Sequence, residues 1–149
     1  MPRVLAALVL VALAVTAVPA WAAQIEMTRP ELCKYSQRVV IAEVTDIETR
    51  WTAEGKIERL IHLAVSETLV GPASDDVEVL LPGGKIGDLE YSVEHSPHLL
   101  QDARYLLFVS HYNDVVGGEQ GAIRVTPAGA VRGETVQDAR ASVEVCRAK

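Results

Sequence analysis

Residues 57 to 70 read IERLIHLAVSETLV, and the alternation of side chains in this stretch decides the fold class. Most odd-numbered positions are apolar and most even-numbered positions are polar, which is the two-residue period of a strand with one buried face. The segment 38–51 before it is rich in Val, Ile and Thr, and its apolar parity switches between Val44 and Ile47. That switch predicts a bend or bulge. The segment 52–56 is short, polar and contains glycine, so the two strands are predicted to form an antiparallel hairpin.

Shorter segments downstream continue the β pattern. Strands are predicted at 77–81, 89–93, 105–109 and 122–126, between turns that contain Gly and Pro. The segment 105–109 is apolar at both parities, which is typical of a strand covered on both faces. Strands at roughly ten-residue spacing, with a bent first strand and a long second one, predict a small five- or six-stranded OB-like barrel. A β-sandwich is the alternative architecture.

The C-terminal tail allows two interpretations. Thr135 is positioned to cap a short helix over 136–142. Residues 143–145 fit an edge strand equally well, because an acidic residue alternates there with two valines. The predicted fold class is therefore all-β, with one short C-terminal helix under the first interpretation.

The N-terminal segment 1–22 has the three parts of a secretory signal peptide. Arg3 supplies the basic start, residues 4–18 form an unbroken apolar run, and cleavage is predicted after Ala22. The run is too short for stable membrane insertion, since a spanning helix needs about 20 apolar residues; a retained anchor is the alternative. We therefore predict a secreted or periplasmic protein in which residues 23–149 form a single β-barrel domain.

The charge balance of the chain is acidic. Its formal net charge is −6, and the predicted cleavage removes one basic residue, Arg3, and no acidic one. An acidic protein lacks the basic surface that attracts phosphate backbones, so nucleic acid is not expected as a partner.

Two cysteines remain after cleavage, Cys33 and Cys146, separated by 113 residues. An oxidising destination favours joining them, which predicts a disulfide that ties the first strand to the tail. The alternative is two reduced thiols, or one reactive thiol. Neither cysteine belongs to a C-x-x-C pair, so redox catalysis has no support in the sequence.

Groups that carry catalysis or bind cofactors are not recognisable in the sequence, and no catalytic residue or cofactor is predicted. His95 and His98 are weak metal candidates, because Pro97 between them disfavours the regular helix that places two ligands on one face. The glycine-rich segment 83–87 lacks the spacing of a phosphate-binding loop and is predicted to be a wide turn. No serine lies in a G-x-S-x-G motif.

A partner-binding surface is predicted at one end of the barrel, where the 82–88 turn, the 94–102 loop and the 113–121 loop meet. Binding residues tend to lie on loops held by a rigid scaffold. The candidate contact residues in these loops are Gly83, Gly84, Gly87, His95, His98 and Asn113. The alternative is that the glycines only make turns.

Two aromatic residues outside these loops, or at their margin, are further candidates for exposed contact residues. Trp51 follows the first strand and Tyr112 follows the strand at 105–109. Each is either a contact residue or a side chain that closes an end of the barrel, and closure is the favoured prediction. Trp51 is expected at the end opposite the three loops.

The order of elements resembles a group of secreted bacterial domains, some found with matrixin-like metalloproteases, and is similar in layout to the netrin-like, OB-fold barrel of tissue inhibitors of metalloproteinases. The residues that carry the resemblance are the apolar strands and turn glycines at 39–44, Trp51 with 55–57, 67–71, 80–84 with Gly87, and 105–108. The resemblance implies a protease-associated or inhibitor-like protein. In the inhibitors an amino-terminal Cys chelates zinc, whereas Cys33 lies ten residues beyond Ala23 and Tyr35 replaces the second cysteine of a C-x-C pair.

The expected function is that of a secreted, non-enzymatic protein-binding module whose partner is a protease or another extracytoplasmic protein. The alternatives are a small metal-dependent hydrolase that uses His95 and His98, and a structural envelope protein. The first expectation depends on the signal peptide, the strand pattern and the missing catalytic motif.

Overall fold

The computed structural model describes residues 25–127 and 134–147. The predicted signal peptide and its cleavage point lie outside these residues. The described elements, in chain order, are α1 (Arg29–Tyr35), β1 (Arg38–Trp51), β2 (Ile57–Val70), β3 (Asp76–Pro82), β4 (Gly84–Ile86), β5 (Leu89–Tyr91), β6 (Arg104–Val109), a 3₁₀-helix (Gly118–Gly121), β7 (Ala122–Arg124) and α2 (Val136–Arg147).

One antiparallel sheet of five strands, in the order β3-β2-β1-β6-β7, forms the body of the protein. β1 and β2 pair along nearly their whole lengths, from the partners Val39 and Val70 to the partners Trp51 and Ile57. The register shifts at three places in β1, the last of them between Val44 and Asp46. The bend predicted from the parity switch is therefore confirmed. A separate two-stranded sheet, β4-β5, packs beside the far end of the β1-β2 hairpin.

The sheet does not close into a barrel. Across the described ranges, β3 and β7 are the two unpaired edges of the sheet. The loop after β6 lies against the edge of β3 instead, where the Leu80 amide donates to the Asn113 carbonyl at 2.8 Å. β7, at the opposite edge, has only three residues. The predicted all-β class with a C-terminal helix is confirmed, whereas the five-stranded sheet stays open and does not form the predicted barrel.

The core occupies both faces of the sheet. One face buries side chains from β1, β2, β3 and β6 together with Leu99 and Val115. The other face is buried by the two helices, through Leu32 of α1 and Ala139 and Val143 of α2. β6 contributes alternately to the two clusters and is almost entirely buried, as its double apolar parity predicts.

The helices are the elements that the sequence pattern predicted least well. α1 was not predicted, because seven residues are too few to show an amphipathic period. It begins with a capping box, in which the Thr28 side chain accepts from the Glu31 backbone amide and the Glu31 carboxylate accepts from the Thr28 backbone amide. The cap by Thr135 is confirmed, and α2 continues to Arg147. The edge strand at 143–145 was therefore wrong.

A disulfide between Cys33 and Cys146 joins the middle of α1 to the end of α2, with the two Cα atoms 5.3 Å apart. The predicted pairing is confirmed, although Cys33 lies in a helix rather than in the first strand. Arg140 holds α2 to β2 through a bidentate contact with Glu67 at 2.9 and 2.7 Å. In the described part of the chain, no helix combines the length and apolar character needed to cross a membrane.

Replacing Cys33 and Cys146 together by Ala is expected to lower the free energy of unfolding by about 3–5 kcal/mol, because the bond closes a loop of nearly the whole domain. Urea denaturation of the oxidised protein and of the double variant measures the difference. Reduction of the wild-type protein serves as the control and should reproduce the loss. Equal stability of the oxidised protein and the variant would contradict the expectation.

The pH dependence of α2 is expected to follow Asp138. Hydrogen bonds from the hydroxyl and the amide of Thr135 hold the pKa of the Asp138 carboxyl below its ordinary value. A lowered folded-state pKa means that the carboxylate stabilises α2 fully above its unfolded pKa, near 4, and that this contribution disappears as the pH falls through the folded value. Amide hydrogen exchange of residues 136–140 measures the protection of α2 between pH 6 and pH 2. The wild type should lose protection as the pH falls, Asp138→Asn should lose less, and the control Glu54→Gln should lose as much as the wild type.

Candidate functional site

The three predicted loops adjoin each other in the structure. The 82–88 turn and the 94–102 loop line one cleft, to which Gly83, Gly84 and His98 belong. The 94–102 loop meets the 3₁₀-helix, where the Glu119 amide donates to the His95 carbonyl at 3.0 Å. Loop 113–121 also reaches the edge of β3 through the carbonyl of Asn113. Gly87 lies at the tip of the β4-β5 turn, with no heavy atom near the position of a Cβ.

Two glycines make this close packing possible. A Cβ on Gly84, whose φ is +147°, would lie 2.9 Å from the Thr49 side chain and 3.2 Å from that of Arg59. A Cβ on Gly118, whose φ is +58°, would lie 2.3 Å from the His95 carbonyl oxygen. These glycines therefore do more than turn the chain, because they let β4 and the 3₁₀-helix approach their neighbours.

Arg59 lies in the cleft between the β4-β5 hairpin and the 94–102 loop. Its Nε donates to the Gly83 carbonyl at 3.1 Å, and its Nη2 contacts the hydroxyl of Ser96 at 2.9 Å and the Pro82 carbonyl at 3.4 Å. Ser96 is buried and donates its own proton to the same Pro82 carbonyl at 2.8 Å. The guanidinium is thereby fixed by neutral acceptors on both sides of the cleft.

No acidic side chain of the described residues forms an ion pair with Arg59. Burial lowers the pKa of its guanidinium, which nevertheless stays charged at any physiological pH. Lys85, Glu90, Tyr91 and His98 also line the cleft, whose volume is about 220 Å³. The result is a cleft with more positive than negative groups on an acidic protein.

Sequence reasoning missed Arg59, although a signal was present. Arg59 occupies an odd position in the segment 57–70, the parity that is otherwise mostly apolar. The other charged residue at that parity, Glu67, pairs with Arg140 of α2. A charged side chain on the apolar parity of a strand therefore marked a specific contact in both cases.

Among the described residues, no third ligand supports a metal site at His95 and His98. Both imidazoles are exposed on the 94–102 loop, and the buried Ser96 and Pro97 lie between them. His95 has a φ of 60°, so the backbone there is in the left-handed region. Within residues 25–127 and 134–147, no group of three or more His, Cys, Asp or Glu side chains is placed to hold a metal ion.

A second feature, which we call the aromatic surface, consists of Trp51, Leu89, Tyr91 and Tyr112. Their exposed fractions are 49%, 61%, 40% and 74%. Trp51, Leu89 and Tyr91 line one shallow groove, and Tyr91 and Tyr112 line the next one. Both grooves are lined by Lys56, Ile57 and Tyr91, so the four side chains lie on two adjoining grooves.

The aromatic surface corrects two predictions. Trp51 and Tyr112 stay exposed, so they do not close an end of a barrel. Trp51 also lies beside the β4-β5 hairpin, on the side of the 82–88 turn rather than opposite to it. The physical reason is the full-length pairing of β1 with β2, which carries the 52–56 turn out to the hairpin formed by β4 and β5.

Ser96→Ala is expected to lower the free energy of unfolding by about 1–2 kcal/mol, because it leaves Arg59 Nη2 and the Pro82 carbonyl each short of one partner. Ser92→Ala is the matched control, since Ser92 lines the same cleft but is exposed. Urea denaturation of both variants measures the difference. Equal stability of the two would show that Ser96 does not anchor Arg59.

Comparison of the chain with family models, curated proteins and solved structures finds no match. The resemblance to netrin-like barrels therefore stays an expectation from the order of elements, and function is inferred from the surface described above.

Proposed function

We propose that the protein is a non-enzymatic, extracytoplasmic protein-binding module and that the aromatic surface contacts its partner. One observation carries the proposal, namely the clustering of Trp51, Leu89, Tyr91 and Tyr112 on two adjoining grooves. Single exposed apolar residues are ordinary on protein surfaces, but a continuous group of large ones is typical of interaction sites.

The residue types of the aromatic surface favour a protein partner. Trp and Tyr are the residues most enriched at the energetic centres of protein interfaces, because they bury a large area at a low cost in side-chain entropy. Complete burial of one large apolar side chain contributes about 1.5–3 kcal/mol. Three of the four residues lie at strand ends in paired hairpins, at Trp51 in β1 and at Leu89 and Tyr91 in β5. The backbone there is hydrogen-bonded to a partner strand, which favours a preformed interface.

The disulfide supports an extracytoplasmic location, because disulfides form and persist in oxidising compartments. The position of Cys33 limits how an inhibitor-like function is achieved. Cys33 lies inside α1, so its nitrogen is a peptide amide and not the free α-amine that would bind a protease metal. A protease partner would have to be bound through the aromatic surface instead.

Trp51→Ala and Tyr91→Ala are expected to weaken binding of the partner by about tenfold to a hundredfold each, the loss typical of central aromatic residues. The mature protein is immobilised, partners are captured from the source organism's extracytoplasmic fraction, and affinities are then measured with the purified partner. Tyr35→Ala is the matched control, since Tyr35 is 56% exposed but lies on α1.

Unchanged affinity in the Trp51 and Tyr91 variants, or an equal loss in Tyr35→Ala, would contradict the proposal. Stoichiometric zinc that copurifies with the protein and is lost in His95→Ala would instead favour the metal-dependent hydrolase.

A further inference from the structure

We propose that the cleft beside the aromatic surface is a carboxylate-binding socket, built on Arg59, Lys85 and His98. Its ligand is an acidic side chain or a C-terminal carboxylate of the partner protein. The assignment of this ligand to a protein rests on the proposed function, whereas the ability of the cleft to bind a carboxylate does not.

The state of Arg59 is the first argument. A half-buried cation has lost part of its hydration, and this loss is normally offset by a carboxylate. Arg59 has three neutral acceptors instead, through Nε and Nη2, and its Nη1 has no hydrogen-bond partner among the described residues. The guanidinium is thus held in one orientation while one of its donor groups is left for a ligand.

The neighbours of Arg59 are the second argument. Lys85 and His98 approach the same cleft from two different elements, β4 and the 94–102 loop. Neither forms an ion pair within the described ranges. If Arg59 served only to fix the β4-β5 hairpin to the sheet, its contacts with Ser96 and the two backbone carbonyls would be sufficient, and Lys85 and His98 would not be needed in the cleft. Three nitrogen-bearing side chains line this one cleft, and they offer an oxyanion the charge-assisted hydrogen bonds that are the strongest kind.

The charge of the cleft favours a carboxylate over a phosphate or sulfate. A volume of about 220 Å³ accommodates one carboxylate-bearing side chain. Glu90 lines the same cleft, opposite Lys85 across the β4-β5 ladder, and the chain carries a net charge of −6. Both charges penalise a dianion more than a monoanion.

The socket is continuous with the aromatic surface. Tyr91 lines the cleft and both grooves of that surface. A partner segment that places an apolar side chain against Trp51 can therefore place a neighbouring carboxylate beside Arg59. The partner predicted by this geometry presents an acidic residue, or its C-terminus, next to a large apolar residue.

The test uses sodium acetate as the probe, with NMR detection of the amides of Gly83, Gly84 and Tyr91 and of the Arg59 Nε–H group. The reference titration uses sodium chloride at matched ionic strength, because exposed charges respond to salt in general. Acetate is expected to cause saturable shifts at the cleft, and chloride is not. Absent or non-saturable shifts with acetate would overturn the proposal, and so would binding of phosphate or sulfate without acetate.

Variants assign the binding to the proposed groups. Arg59→Gln and Lys85→Gln should each weaken acetate binding about threefold to tenfold, the loss of one charge-assisted contact near the surface. Glu90→Gln should strengthen it about twofold, since a like charge is removed. Arg124→Gln is the matched control, because Arg124 is exposed on β7 and outside the cleft. Lys85 is exposed, so its variant is informative even if Arg59→Gln does not fold; unchanged binding in Lys85→Gln would overturn the socket.

Two further probes identify the source of the carboxylate. Acetyl-diglycine presents a C-terminal carboxylate and acetyl-aspartate amide presents a side-chain one; the tighter of the two identifies the group, and failure of both to bind overturns the proposal. The outcome is separable from that of the proposed function. Acetate binding is measured on the isolated protein, whereas the aromatic surface is tested by partner affinity in Trp51→Ala.

Discussion

The pairing of β1 with β2 is the interaction on which the rest of the structure depends. The two strands run together for fourteen residues each. The first half of β1, where its register with β2 shifts, is almost entirely buried, while the second half extends beyond the core. The buried half takes β6 on its other edge and the helices on its outer face. The extended half carries Trp51 on β1 and Arg59 on β2. It also contacts β4, which pairs with β5 and so places Tyr91 nearby.

This division separates stability from recognition. The helices, the disulfide and the Arg140–Glu67 contact lie at one part of the sheet, where the two chain ends are fastened together. The aromatic surface and the Arg59 cleft lie where the hairpins meet. Loss of stability and loss of binding can therefore be caused by different substitutions, since residues with no shared partners contribute almost independently.

Arg59 shows how one side chain can have a structural and a functional part. Its bonds to Pro82, Gly83 and Ser96 hold the hairpin and the 94–102 loop against β2. The same bonds fix the direction of its charge, which lowers the entropy that a ligand would otherwise have to remove. Gly84 permits this arrangement, because a side chain there would meet Thr49 and Arg59.

The sequence by itself determined the β1-β2 hairpin, the bend in β1, the doubly covered β6, the cap of α2 and the disulfide partners. These features follow from local periodicity, from a capping residue, or from there being only two cysteines to join. Tertiary structure alone decided that the sheet stays open, that α1 forms, and that Trp51 lies beside Tyr91 rather than opposite the loops. It also decided the role of Arg59, whose partners lie 23, 24 and 37 residues away in the chain. Contacts between distant segments leave no periodic trace in sequence, because periodicity records which face a residue occupies and not what it meets there.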